Sequence, residues 1–264
     1  AESKDWYNGY SWEGRTLVYN PFSILNFFQK NEFINFWFSS GTPTFLINLL
    51  RERKVYDIGN TIVGNTIFDS FNIEYLDIYP LLLQTGYLTI KSVDRRFGAY
   101  TLDYPNKEVK ERMFQYLIAG FSYSQHTQST PVILQLRQAL MNNECEKIIT
   151  LLNSLFSSIP YHIFIKNKEA YYHSLVFLLF RYLGQYIEAE ISTSSGRIDS
   201  VVTTDDHIYI LEFKLDESAD AAIEQIQKKK YRDKYQGQNK PIIGIGINFS
   251  TESKSVADWR QINL

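Results

Sequence analysis

Cysteine is almost missing from this sequence of 264 residues, in which Cys145 is the single one. One cysteine excludes an intramolecular disulfide and a cage of thiolates around a metal ion, and this usage is typical of proteins that fold in a reducing cytosol. A lone thiol in a helical stretch is most often a packed residue, so we expect no role for Cys145. The sequence therefore predicts a cytoplasmic protein.

Long apolar runs and leader segments are also lacking. The best candidate for a membrane span, residues 171–183, is interrupted by His173, Ser174 and Arg181, and a span requires roughly 18 apolar residues. No signal peptide opens the chain, which starts with Ala1 rather than Met. We expect no membrane association, and we expect a fragment of a longer protein, cut at a domain boundary.

A strong excess of positive charge is missing too, because the formal net charge is −2. A nucleic-acid binder of this size is usually more basic, so contact with DNA or RNA would depend on local patches. The length allows one large domain or two modest ones.

The first half of the chain mixes helices with short strands. The composition of residues 1–20 predicts turns with short strands. The pair Asn20-Pro21 predicts a helix start, and a second helix is predicted over 43–52. Residues 74–84 predict a helix that ends at Gly86, followed by strands over 87–90 and 97–104 around a turn at 94–98. A helix followed by a β-hairpin is the ending of a winged-helix unit. The next helix is predicted over 107–122.

The second half changes from helical to strand-like periodicity. A helical stretch over 130–159, broken near Asn142-Asn143, precedes a long apolar helix over 168–183 that stops at Gly184. Strands follow over 186–192, 197–203 and 207–215, then a helix over 218–231, a strongly apolar strand over 241–249 and a short strand over 258–263. The order α-β-β-β-α-β, with an apolar strand after a crossover helix, predicts a mixed sheet.

Two carboxylates and a lysine converge if the second and third of these strands form a hairpin. With Asp205-Asp206 as a two-residue turn, Asp199 lies directly opposite Glu212. Opposed residues share one face with Cβ atoms about 5 Å apart, and Lys214 lies on the same face as Glu212 because strand side chains alternate. The pairing therefore places Asp199, Glu212 and Lys214 together, with Arg197 opposite Lys214.

This trio has a specific chemical use. Opposed carboxylates repel each other unless a cation lies between them, and two hard oxygen ligands, completed by a backbone carbonyl and water, suit Mg²⁺ or Mn²⁺. Such a metal promotes in-line hydrolysis of a phosphodiester, and Lys214 would steady the attacking hydroxide or the phosphate. The alternative is a pair of solvated charges on an exposed sheet. Against it, Glu212 interrupts the apolar run 208–213.

The motif resembles that of the PD-(D/E)XK nucleases, with Asp199 followed after twelve residues by Glu212-Phe213-Lys214. More closely, residues 171–248 resemble the uncharacterised nuclease-like domain at the C-terminus of AAA-ATPase-like proteins of gut and oral bacteria. The stretches that carry this second resemblance are Tyr171-Tyr172-His173-Ser174-Leu175, Gly196-Arg197-Ile198-Asp199, Ile210-Leu211-Glu212-Phe213-Lys214, and Ala222-Ile223-Glu224-Gln225-Ile226 with Tyr231. Trp6-Tyr7-Asn8-Gly9-Tyr10 and Val18-Tyr19-Asn20-Pro21 resemble the tail of the ATPase-like domain in those proteins.

The resemblance implies an α/β architecture in two parts. Residues 1–120 would form a mostly helical, winged-helix-like tail of an AAA-ATPase-like domain, and 121–264 a restriction-endonuclease-like domain with a helical lead-in over 121–166 and a core over 167–264. It also implies that the Phe213 backbone carbonyl joins Asp199 and Glu212 as a metal ligand. The sequence contains no Gly-x-x-x-x-Gly-Lys-Ser/Thr loop, so the ATPase-like core would precede Ala1 and this chain would hold no nucleotide site.

Further candidates surround this motif. Similar nucleases use a Gln and a Tyr near the site, which Gln225 and Tyr231 match. Glu169 could add an acidic group or serve only as a favourable charge at a helix start, and His173 could act at the site or pack as a hydrogen-bonded core histidine. Arg197 and the basic residues Lys228 and Lys229, followed by Tyr231, could contact a phosphate backbone, or the lysines could be a solvated helix end.

Three hypotheses for the function compete. The first is a Mg²⁺- or Mn²⁺-dependent nuclease attached to an ATPase-like module, with Asp199, Glu212, Lys214 and Gln225 as its catalytic residues and DNA favoured over RNA as its substrate. The second is a catalytically silent nuclease fold that recognises nucleic acid or protein, which the near-neutral charge favours. The third is a winged-helix DNA-binding protein in which the nuclease-like half is only structural.

Overall fold

A computed structural model describes residues 2–40, 43–53, 55, 58–68, 77–122, 126–157, 168–184, 188–194, 197–229 and 231–264. The chain divides into two compact units, Ala1–Leu117 and Ile118–Leu264. Both mix helix and strand, which confirms an α/β chain. In the part of the chain that is described, no helix has the length and apolar character needed to cross a membrane.

The first unit opens with a helix that the sequence did not indicate. Residues 1–20 were predicted as turns and short strands, but α1 covers Glu2–Tyr7 before the short antiparallel pair β1 (Asn8–Tyr10) and β2 (Val18–Tyr19). Its last residue, Tyr7, is fully buried among Phe27, Phe33 and Phe36, and its hydroxyl donates to the Ile34 carbonyl at 3.0 Å. Tertiary packing of this ring therefore stabilises a six-residue helix that is too short to form alone.

Capping fixes the next helices of this unit. The Asn20 side chain accepts from the N–H groups of Phe22 and Ser23, and Pro21 begins α2 (Pro21–Lys30), as predicted. A 3₁₀ turn (Trp37–Ser40) precedes α3 (Thr44–Glu52). The predicted helix over 74–84 begins later, at Ile78 (α4, Ile78–Gln84), because Asp77 caps it; residues 74–76 lie outside the described part.

A three-stranded antiparallel sheet completes the first unit. The predicted hairpin is present as β4 (Thr89–Asp94) and β5 (Ala99–Asp103). A strand not predicted, β3 (Thr61–Gly64), pairs with the other edge of β5 to give the order β3-β5-β4, and a 3₁₀ turn (Asn65–Phe68) follows it. The next helix, α5, covers Lys107–Ser122, as predicted.

Three helices lead into the sheet of the second unit. The predicted helical stretch is two helices, α6 (His126–Met141) and α7 (Cys145–Ser157), and the break is where predicted, with Asn143 in the left-handed conformation at φ 56°. The long helix α8 covers Lys168–Leu183, and the Gly184 N–H bonds the Phe180 carbonyl. Cys145 is buried, and burial raises the pKa of its thiol, as suits a packed residue without a reactive role.

The five-stranded sheet of this unit is mixed, as predicted. Its order is β10-β9-β8-β7-β6, in which only β8 and β9 are parallel. The strands, and the helices between β8 and β9, cover these residues: β6 Glu188–Ser194, β7 Arg197–Thr203, β8 Ile208–Leu215, α9 Ala219–Lys228, α10 Tyr231–Tyr235, β9 Ile242–Ser250 and β10 Ser255–Asn263. A 3₁₀ turn covers Gln236–Gln238.

This region differs from the prediction in several element bounds. The first strand, expected over 186–192, continues to Ser194. The helix expected over 218–231 ends at Lys228, and α10 starts anew at Tyr231. The last strand begins at Ser255 rather than Asp258 and contains a β-bulge between Val256 and Asp258.

Helices cover both faces of the central strands. On one face, Ile208 and Ile210 of β8 pack in a cluster with Ile223 and Ile226 of α9. On the other face, the Tyr209 hydroxyl donates to the carbonyl of Leu140 in α6 at 2.7 Å, and aromatic contacts join Phe213 to α8 and Phe249 to α7. Strands β8 and β9 are buried along almost their whole length. A charged side chain in β8 therefore lies inside a layered core.

Candidate active site

The hairpin between β7 and β8 fixes the register of the predicted carboxylates. Its tight turn is closed by the Thr204 N–H, which donates to the His207 carbonyl at 2.9 Å, and by the His207 N–H, which donates to the Thr204 hydroxyl at 3.0 Å. From this turn the pairing runs in steps of one residue to Asp199 opposite Glu212. The predicted backbone register is confirmed, while the side chain of Asp199 lies outside the described part.

Glu212 is fully buried in the middle of β8. Its carboxylate accepts a hydrogen bond from Nε2 of Gln225 on α9, and Oε1 of the same amide accepts from the Lys214 ammonium at 2.8 Å. Gln225 thus bridges the two residues of the Glu-x-Lys motif. The structure brings together three of the predicted site residues, Glu212, Lys214 and Gln225, and places Asp199 at the register position beside them.

Close packing of α9 on the sheet makes this bridge possible. Ser218 caps α9 by accepting from the Ala221 N–H at 3.1 Å, and the buried face of the helix lies over β8 and β9. Gly246, beside Glu212 in the parallel register, has no side chain to keep the helix away. A Cβ added there would lie 2.6 Å from the Ala219 carbonyl oxygen, well inside van der Waals contact. The absence of a side chain at this position lets Gln225 reach Glu212.

The Lys214 side chain is nearly buried, with 7% of its surface exposed. Apart from Gln225, its ammonium faces the carboxylate of Glu217 at 3.8 Å. A lysine held among oxygen acceptors on the same face as a buried carboxylate is placed to donate to a negatively charged group that enters the site.

The remaining predicted residues lie around this centre or outside the described side chains. Lys228 and Lys229 are exposed at the C-terminal end of α9. The Phe213 side chain points to the opposite face, where it packs against Phe180 and Phe249. The side chains of the other predicted residues lie outside the described part, namely Arg197 in β7, Tyr231 in α10, and Glu169 and His173 in α8.

Three polar residues near Lys214 were not predicted, namely Glu217, Asn248 and Asp258. Asn248 carries a sequence signal that could have been used, because its amide interrupts the apolar strand β9. In the structure this side chain is buried, with 5% of its surface exposed. Asp258 gives no such signal, since its place opposite Asn248 depends on the bulge in β10.

Carboxylate oxygens are the donors that a hard divalent cation prefers, and Glu212 supplies one such group here. Glu212 lies opposite Asp199 in the strand register, and a buried carboxylate is costly without a compensating positive charge. Among the described side chains, no group of three or more His, Cys, Asp or Glu residues gathers as a possible metal site, either here or elsewhere.

The mixed five-stranded sheet with helices on both faces is the architecture of a restriction-endonuclease-like core. Residues 167–259 match the profile of the PD-(D/E)XK nuclease superfamily, and this stretch is a domain of that superfamily. Proteins of the superfamily generally use divalent metals and act on nucleic acid.

A longer relative extends the similarity over almost the whole chain. The "Uncharacterized protein in vnfD 5'region" of Azotobacter chroococcum mcd 1 is 38% identical over 274 residues, an alignment that covers 98% of this chain and 52% of the relative. The chain therefore spans about half the length of the curated relative it matches. No solved structure matches the chain significantly.

Proposed function

We propose that the chain is a metal-dependent nuclease that hydrolyses phosphodiester bonds of nucleic acid. The observation that carries this proposal is the buried Glu212 carboxylate, bridged through Gln225 to Lys214 on the strand that pairs with Asp199. A buried charge in a central strand is costly unless it has a use, and Glu212 with Lys214 matches the Glu-x-Lys part of the superfamily's motif.

Each residue has a specific role in this mechanism. The carboxylates of Asp199 and Glu212 and the backbone carbonyl of Phe213 would hold Mg²⁺ or Mn²⁺. A divalent metal bound there supplies a Lewis acid for the phosphate and lowers the pKa of water. Lys214 donates to the negatively charged phosphate, and Gln225 orients both Glu212 and Lys214 through its amide.

Nucleic acid, with DNA favoured over RNA, would approach along the end of α9. Lys228 and Lys229 are exposed there, and with Arg197 and Tyr231 they would contact the phosphate backbone. With a net charge of −2, this patch supplies a local attraction only. Glu169 and His173 of α8 are further candidates for the site. We also propose a cytoplasmic location for this enzyme.

The first unit would add nucleic-acid recognition to the nuclease. The order β3-β5-β4, with α4 before the hairpin, is the topology expected of a winged helix, and Arg95 and Arg96 lie in the hairpin turn. We assign residues 1–120 to the tail of an AAA-ATPase-like domain and 121–264 to the nuclease-like domain. An ATPase-like part outside this chain would then be the partner, and ATP would bind there.

One observation favours a second candidate function. The near-neutral charge is unusual for a nuclease that acts on long nucleic acid, and it fits a silent nuclease fold used for recognition of nucleic acid or protein. The two candidates differ in one measurable property, which is metal binding between Asp199 and Glu212.

Calorimetric titration of Mg²⁺ and Mn²⁺, together with cleavage of labelled DNA and RNA, tests the proposal. We compare the parent chain with Asp199→Ala, Glu212→Gln and a matched control, Glu108→Gln, which makes the same isosteric change at an equally buried glutamate. We expect Asp199→Ala and Glu212→Gln to weaken metal binding by more than about 100-fold and to abolish cleavage, because each removes a direct ligand. The control should match the parent. Cleavage that survives in Glu212→Gln would overturn the proposal, and a parent that binds no metal, even with DNA present, would favour the recognition module.

A further inference from the structure

Asn248 on β9 uses its whole side-chain amide in hydrogen bonds. It lies beside Lys214 in the parallel register. Its Oδ1 accepts from the Glu217 N–H at 3.0 Å, and its Nδ2 donates to the Glu217 carbonyl at 3.1 Å and to Asp258 Oδ1 at 2.7 Å. One side chain therefore holds both main-chain polar groups of Glu217, the residue that faces Lys214.

The β-bulge in β10 places Asp258 opposite Asn248. Val256 pairs with Phe249 and Asp258 pairs with Asn248, so Ala257 is the additional residue of the bulge. Bulges of this kind redirect a side chain locally. The redirected carboxylate of Asp258 accepts from Asn248 through Oδ1 and from the Ala219 N–H, at the start of α9, through Oδ2 at 2.8 Å.

The Asn248–Asp258 pair therefore fixes the segment from Glu217 to Ala219 at two main-chain positions. Both oxygen groups described around the Lys214 ammonium depend on this segment. Glu217 belongs to it, and Gln225 is carried by the helix that begins at its end. A displacement of the segment moves Glu217 and Gln225 together, and so changes the position of the Lys214 ammonium relative to Glu212.

We propose that Asn248 and Asp258 are positioning residues for the reaction at Glu212 and Lys214. They act through the Glu217–Ala219 segment and touch neither the metal nor the substrate. This inference rests on the proposed nuclease function, and it adds two residues that neither the Glu-x-Lys motif nor the family match assigns. Outer residues that orient reacting groups in this way typically contribute about 10- to 100-fold to activity.

A reciprocal exchange tests the proposal, since the pair depends on a donor facing an acceptor. Asn248→Asp places two carboxylates against each other, and Asp258→Asn places two amides against each other, so either change alone breaks the match. In the double variant N248D/D258N, the amide of residue 258 donates to the carboxylate of residue 248. That carboxylate still accepts from the Glu217 N–H, and the amide oxygen of residue 258 still accepts from Ala219. The bond from residue 248 to the Glu217 carbonyl is lost in both Asn248→Asp and the double variant, so the double variant restores only the pair itself.

We expect each single variant to lower kcat by about 10- to 100-fold, with KM and Mn²⁺ affinity within twofold of the parent. The double variant should be faster than Asn248→Asp without reaching the parent, because the bond to the Glu217 carbonyl stays lost. A purely structural contact would instead lower the fraction of folded protein and change kcat no further. Unchanged kcat in both single variants, or a double variant as slow as Asn248→Asp, would overturn the inference.

Asp216→Asn is the matched control. Asp216 fixes the same loop from its other side, accepting from the Thr251 N–H and hydroxyl at 2.7 Å each, and Asn tolerates its left-handed φ of 53°. The kcat of the Asp216→Asn variant should stay within twofold of the parent value. A loss as large as that of Asn248→Asp would show that any loosening of the loop is sufficient and would contradict a specific role for Asn248 and Asp258.

A spectroscopic measurement separates failure of this inference from failure of the proposed function. If the parent chain cleaves no nucleic acid, the side-chain amide resonance of Gln225, identified by its loss in Gln225→Ala, reports the same displacement. The resonance should shift in each single variant and move back towards its parent position in the double variant. A resonance that stays in place in the single variants would overturn the positioning role, whether or not the chain is a nuclease.

Discussion

Among the side chains that the structure describes, each unit contains one fully buried glutamate, and the two glutamates are held in different ways. In the first unit, Glu108 accepts from the main-chain N–H groups of Phe36 at 2.7 Å and Trp37 at 3.0 Å. In the second unit, Glu212 is held by the side chain of Gln225, which is shared with Lys214. Main-chain donors cannot move away without unfolding a segment, whereas a side-chain amide can exchange partners.

The difference shows that burial of a charge does not by itself mark a reaction centre. Glu108 stabilises the turn at residues 36–37 against the start of α5, which is a structural use of a carboxylate. Glu212 lies beside the register position of a second acid and near an ammonium. The type of partner, rather than the exposed fraction, separates the structural carboxylate from the one that could bind a metal ion.

Removal of the Glu108 side chain should give the largest loss of stability. Glu108→Ala takes the acceptor from two main-chain N–H groups, and each buried donor left without an acceptor costs about 1–3 kcal/mol. We expect the free energy of unfolding of the first unit to fall by roughly 2–6 kcal/mol in urea titrations. Metal binding at Glu212 should not change, and an equal loss of metal affinity in Glu108→Ala would contradict the division into a structural and a reactive glutamate.

A methyl group at Gly246 should give a smaller effect that falls on the other glutamate. In Gly246→Ala the new Cβ meets the Ala219 carbonyl oxygen, so α9 must move outwards and carry Gln225 away from Glu212. Overpacking of this kind costs about 1–3 kcal/mol, measurable as a lower unfolding midpoint. We also expect slower cleavage. Gly244→Ala is the comparison in the same strand. Its Cβ would lie nearest to side-chain atoms of Ile262 and Leu264 rather than to the backbone of α9, so it should retain full activity.

The dependence of stability on pH should give the smallest effect. Burial raises the pKa of Glu108 above its ordinary value of 4.5, although the N–H groups of Trp37 and Phe36 oppose the shift. The folded protein therefore binds this proton more tightly than the unfolded chain, and stability declines as pH rises from about 4.5 through the raised pKa. Glu108→Gln should lack this part of the decline in urea titrations between acid and neutral pH. The same slope in both proteins would mean that Glu108 does not titrate in this range.

Local patterns predicted the backbone register of the candidate site. The two-residue turn between two alternating strands was sufficient to place Asp199 opposite Glu212, because register follows from turn length. The bounds of α8 and the start of α2 followed from apolar periodicity and from Asn20-Pro21. In each of these cases the determining interactions lie within a few residues along the chain.

The features that the sequence did not predict depend on contacts between distant residues. The helix α1 forms because Tyr7 packs against rings twenty or more positions away, and the strand β3 forms because β5 offers it a free edge. The Asn248–Asp258 pair depends on the bulge at Ala257, which no turn residue announces. The early end of α9 at Lys228 also has no breaker residue in the sequence, since no Pro or Gly lies between Lys228 and Tyr231.

The short turn at Thr204–His207 has a further consequence, which concerns chain length rather than chemistry. Neighbouring positions of a strand point to opposite faces, so one residue added to this turn and absorbed by the pairing would move every position of β7 across the sheet. Asp199 would then lie on the face of Phe213 and α8, and Ser200 would take its place beside Glu212. The pairing of Asp199 with Glu212 therefore depends on the number of residues in a loop that contributes no side chain to the candidate site.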